Sequence, residues 1–163
     1  MESIRNPERP VEHATRGARS ANRERGSALL EAAFTIPLLL LVAIGIFEFG
    51  RAYQTWQVLT NAAREGARTA VLPSAGADTA QARALAYMQA GRLDKAAEAV
   101  ITVNENDSYE VSGTTVSASR VRIDYPFSFM VLGPIVQLVV PGSELGGDLT
   151  MTAEAVMRNE NAI

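Results

Sequence analysis

Sixteen consecutive residues, Ala32 to Phe47 ("AAFTIPLLLLVAIGIF"), carry no charge. Including Ser27 to Leu30 extends the apolar stretch to about 20 residues, interrupted only by Glu31, close to the length a helix needs to cross ~30 Å of hydrocarbon. The alternative is a buried core helix, but the roughly 90 residues downstream are too few to surround one on all sides. A secretory signal is the other alternative, since a basic segment precedes the run. The run is longer than such signals use, and only Ala43-Ile44-Gly45 offers a small-x-small cleavage site, poorly placed. Pro37, in the first turns, removes one helical hydrogen bond and predicts a bend.

Beyond Phe47 the pattern becomes periodic. Phe49, Tyr53, Trp56, Leu59, Ala63, Ala67 and Ala70 recur at steps of three and four, while Arg51, Gln54, Gln57, Asn61, Arg64, Glu65 and Arg68 fall largely on other faces. One helix is therefore expected from Ser27 to Val71, about 67 Å long, apolar all round at first and amphipathic afterwards. Tyr53 and Trp56 fall just past the outer interface, where aromatic belts occur. Ala62, Gly66 and Ala70, four apart, permit close approach of another backbone; that stripe either covers this chain's own core or meets another subunit.

"PSAG" (73–76) ends the helix, and 78–100 reads as one or two alanine-rich helices with Asp78 or Thr79 as N-cap and Gly91 as a weak point. Short alternating runs follow at Ile101 and Val103, then at Tyr109 and Val111, at Val121, Ile123, Tyr125 and Phe127, and at Leu149, Met151, Ala153 and Ala155, which predict strands. A phase change between Ala118 and Val121 predicts a bulge or turn there. The fold expected is α+β, a helix followed by an antiparallel sheet packed on the outer half of the long helix. "NENDSYE" (104–110) reads as a polar turn; its oxygens suit calcium, but without the regular spacing of a loop site. "PFSFMVLGPIVQLVVPG" (126–142) is too short in each half to span a bilayer. It reads as a connection covering the core, the alternative being a patch that docks on partner subunits or on the outer leaflet.

Charge orients this plan. The net charge is -3, yet residues 1–26 hold six arginines against four glutamates, and four of those arginines lie within ten residues of Gly26. Arginines on one flank of a span keep that flank cytoplasmic, which sends the acidic remainder across. A nucleic-acid role for so short and interrupted a basic patch is disfavoured. With no cysteine and a single histidine, His13, in a polar segment, thiol catalysis, disulfides and histidine acid/base or metal chemistry are disfavoured. No metal site or cofactor is expected.

Arg25-Gly26 followed by Ser27-Ala28-Leu29-Leu30-Glu31 is similar to the processing signature of type IV prepilins. "EAAFTIPLLLLVAIGIFEFGR", which ends in Glu48, Gly50 and Arg51, together with "NAAREGARTAV", which holds Ala63, Arg64, Glu65, Gly66 and Arg68, resembles the TadE-like minor pilins or pseudopilins of the tight-adherence pilus. That resemblance implies a pilin-like fold and cleavage between Gly26 and Ser27 by a prepilin peptidase. It also implies partnership with other pilins, with inner-membrane pilus assembly proteins and with membrane lipid. The family's major subunit usually carries tyrosine after the glutamate; Ala32 stands there, as suits a minor component.

The chain then divides into a basic cytoplasmic leader (1–26), a transmembrane helix (27–48), an amphipathic extension (49–72) and an extracytoplasmic α+β domain (73–163). Cleavage would leave Ser27 as a new amine one helical turn from Glu31, so the carboxylate reaches that amine or an adjacent subunit's. The other reading of Glu31 is a first-turn cap at the interface. A non-catalytic role in assembling or anchoring a pilus is expected. The competing class is an unprocessed single-pass protein whose outer domain binds a ligand or partner.

Overall fold

The computed structural model describes residues 13–111, 113–142 and 147–159, with side chains from Gly26 onward. Its first element, helix α1 (His13–Ala70), runs through Pro37 and joins the apolar run to the amphipathic stretch. It starts inside the segment read as a leader, so Gly26 and Ser27 lie within helix. From Gly26 the helix is long and apolar enough to cross a membrane, and the side chains of its apolar window are exposed. By internal contacts the chain forms two compact units, divided between Ala43 and Ile44.

The second unit contains the C-terminal part of α1 and everything after it. Helix α2 (Ala77–Ala90) follows a short turn. Its N-cap is Gly76, not Asp78 or Thr79; Asp78 lies in the first turn, where its carboxylate complements the helix dipole. The helix ends at Gly91, where an added Cβ would come within 2.5 Å of Val58 Cγ1, so the missing side chain lets the end of α2 close on α1. A 3-10 turn (Ala96–Glu98) leads into a three-stranded antiparallel sheet, order β1-β2-β3, made of β1 (Val100–Val111), β2 (Thr114–Phe127) and β3 (Leu149–Arg158). Between β2 and β3 lies a short apolar helix, α3 (Leu132–Val139).

One face of the sheet packs on α1 and α2. Leu59, Ala62, Ala63 and Ala67 of α1, Ala80, Ala84 and Met88 of α2, and Val121, Ile123, Tyr125 and Phe127 of β2 share one buried cluster. Small residues on both helices permit the close approach. At Gly66 an added Cβ would lie 3.2 Å from Ala84 Cβ and 3.3 Å from Val121 Cγ1. Side chains tie the layers together: Glu65 Oε1 accepts from Arg83 at 2.7 Å, Ile101 O accepts from Gln81 Nε2 at 3.2 Å, and the Tyr125 hydroxyl accepts from Lys95 N at 3.2 Å.

Two local expectations are corrected. The irregularity anticipated in β2 belongs to β1: Asn104 pairs with Arg120 and Asp107 with Ala118, so β1 carries one extra residue there. "NENDSYE" is strand rather than turn, and Asp107, beside the extra residue, pairs with Arg120 of β2. Alternation on β2 lapses at Ala118 and Ser119, both buried, because the Ser119 hydroxyl donates to Asn159 Oδ1 at 2.7 Å and so tolerates burial.

Candidate functional site

The residues predicted from the prepilin-like start lie along the first unit. Ser27 and Glu31 are exposed, one helical turn apart, and an added Cβ at Gly26 would meet nothing within 4 Å. A second protein would find this stretch of helix uncovered.

The motif residues Glu48 and Arg51 belong to the second unit, and they come together. Glu48 ends the uncharged run, yet its side chain has no exposed surface. A carboxylate so buried costs several kcal/mol unless donors surround it. Glu48 Oε1 accepts from the Val131 N–H at 2.5 Å and from the Leu132 N–H at 3.4 Å, and Oε2 accepts from Arg51 at 3.3 Å. Val131 is the N-cap of α3 and offers no side-chain acceptor, so the first amides of that helix would be unsatisfied without help from elsewhere. Glu48 supplies the acceptor and places its negative charge at the positive end of the helix dipole.

Arg51 completes the arrangement one turn later. It donates to Ser128 O, and its guanidinium carbon lies 4.6 Å from the centre of the Phe127 ring. Phe127 meets Phe129 edge to face at 5.3 Å, which fixes the chain as it leaves β2. Gly50 between the pair has open space around it. Together Glu48 and Arg51 hold residues 127–132 on α1. This arrangement positions backbone; it brings no nucleophile beside a base. Among the described residues there is no group of three or more histidine, cysteine or acidic side chains able to hold a metal.

The second motif is split by function. Ala63, Gly66 and Ala67 are buried in the core, Glu65 bonds to Arg83 of α2, and Arg64 and Arg68 face solvent. The helix stripe divides as well. Leu59, Ala63, Ala67 and Ala70 are core residues, whereas Phe49, Tyr53 and Trp56 are exposed, with Tyr53 and Trp56 in contact at 6.1 Å between ring centres. The small-residue end of the stripe therefore covers the chain's own sheet and α2. Sequence reading identified Glu48 and Arg51 as a motif but did not assign what they bind, because Val131 lies 83 residues beyond Glu48.

Residues 26–68 match the family model of TadE-like proteins. The matched segment starts at Gly26 and ends at Arg68, so it includes the Gly-to-Glu start, the Glu48-Arg51 pair and the second motif, and it bears out the resemblance read from the sequence. No curated protein and no solved structure gave a match.

Proposed function

We propose that the chain is a non-catalytic minor pilin or pseudopilin that helps assemble or anchor a tight-adherence pilus. In this reading α1 spans the membrane once, with the arginine-rich flank cytoplasmic and the α+β unit outside. A prepilin peptidase cuts after Gly26, and the freed Ser27 amine meets Glu31 of the same or a neighbouring subunit. The observation that carries the reading is the TadE-like match over residues 26–68, lying on a helix able to cross a membrane. The exposure of Ser27 and Glu31 supports it, since both the peptidase and a neighbouring subunit need access there.

Mass spectrometry of the mature N-terminus, in cells with and without a prepilin peptidase, tests it. The expected mature chain begins at Ser27 only where the peptidase is present. A chain beginning at Met1 in both strains would overturn processing and favour the unprocessed single-pass alternative. A Glu31→Ala variant that is still cleaved and inserted is expected to lose recruitment into the pilus assembly; unimpaired recruitment would count against the assembly role.

A further inference from the structure

We infer that helix α3 is an interfacial element that beds its exposed apolar end in the membrane leaflet from which α1 emerges. The inference rests on the proposal that α1 spans the membrane, and goes beyond it by assigning a lipid contact to the outer unit itself.

The residues from Phe127 to Gly142 contain no charge, and α3 within them is about 12 Å long, far too short to span. Its first turn is half-buried, but the far end is not: Leu138 is 83% and Val139 72% exposed, with Met130 and Val140 also open. A cluster of this kind is unusual on a surface that meets only water.

Its position in the fold identifies what covers it. Glu48 holds the first amides of α3 to the residue directly after Ile46 and Phe47, which are themselves exposed and apolar. The contact boundary between the two units falls before Ile44, so the last four residues of the apolar run, Ile44 to Phe47, belong to the same compact unit as α3. Ile44 and Gly45, one turn before Glu48 on its side of the helix, are half-buried, whereas Ile46 and Phe47 are open. The first turn of α3 is therefore tethered one residue beyond the exposed apolar pair Ile46 and Phe47, within the same unit. A short helix at that depth presents Leu138, Val139 and Val140 to the boundary between headgroups and acyl chains. With no basic residue in 127–142, the contact depends on apolar area rather than on anionic lipid.

The chain lacks cysteine, so single-cysteine probes are unambiguous. The full chain, reconstituted in phosphatidylcholine vesicles, would carry an environment-sensitive fluorophore at Leu138→Cys, at Leu40→Cys in the span, or at Thr115→Cys on the hairpin. The probe at 138 is expected to be blue-shifted, severalfold less quenched by aqueous iodide than the probe at 115, and quenched best by nitroxide lipids labelled near the headgroup. The probe at 40 should respond to deep nitroxides. Adding phosphatidylserine should leave the position 138 signal unchanged. Iodide access at 138 equal to that at 115, with 40 still in hydrocarbon, overturns the inference and leaves the span intact. Iodide access at 40 overturns both. Shielding at 138 that disappears on dilution into excess lipid identifies a protein partner instead and also overturns the lipid assignment. A repeat with the probe at Val140→Cys guards against an effect peculiar to one position.

Discussion

Glu48 is tolerated without exposed surface because both of its oxygens are used, one by two backbone amides and one by Arg51. Truncation would strand the Val131 and Leu132 amides and leave the Arg51 charge without its counterion. Glu48→Ala should therefore cost about 2–4 kcal/mol. Glu48→Gln keeps one acceptor for Val131 but turns an amide toward Arg51, so a smaller loss is expected. Arg51→Lys keeps the charge yet gives up the planar fork and the contact with Phe127, for a loss of about 1 kcal/mol. Thermal unfolding of the full chain in detergent ranks the three, and a Glu48→Ala melt equal to wild type would remove the capping role. The pair was legible as a motif in the sequence. Its partner was not, because a contact across 83 residues leaves no mark in local periodicity.

Among the elements, those with a strong period were read correctly. The long helix and the strands β2 and β3 follow from spacing, since burial of one face imposes it, whereas the middle of β1, polar at 104–110, reads as a turn. What escaped was decided by neighbours. Phe49, Tyr53 and Trp56 share the helical period with Leu59 and Ala63, but the sheet and α2 cover only the later positions. The extra residue in β1 likewise appeared from the sequence to be a fault in β2, because the lapse in alternation lies on the partner strand. Beside it Arg120 pairs with both Asp107 and Glu154, joining all three strands. The hydrogen bond from Arg120, then that from the Ser108 amide, holds the Asp107 carboxyl below its ordinary range; Arg122 and the Thr152 hydroxyl do the same for Asp124. Because the folded values are depressed, the stability they contribute is present above the unfolded value of about 3.9 and is lost as pH falls through the folded values. The melting midpoint should thus hold steady from neutral pH down to about 5 and fall below about 4. Arg120→Gln should lower the midpoint at neutral pH and flatten that acid limb. Parallel wild-type and Arg120→Gln curves between pH 7 and 3 would exclude the Asp107 contribution.

At the scale of the whole molecule, the boundary between units does not coincide with the edge of the apolar run. The uncharged run ends at Phe47, whereas contacts divide the chain after Ala43. The difference has a physical source: Glu48 and Arg51 are bound into the second unit, and they bring the preceding turn of helix with them. The second unit is accordingly incomplete without the last turn of the apolar run. Two fragments separate this view from the simpler one, one starting at Ile44 and one at Tyr53, both ending at Ile163. The longer keeps the acceptor for α3 and the donor to Ser128; the shorter has neither. The shorter fragment should melt lower, by about 5 °C for each kcal/mol of the lost contacts. Chymotrypsin should also cut it early between Phe127 and Leu138, a segment the longer fragment protects through the Glu48 and Arg51 contacts. Equal midpoints and equal protease resistance would mean that the sheet and α2 hold residues 127–139 without help from α1. The motif at 48–51 would then have to serve contacts outside this chain.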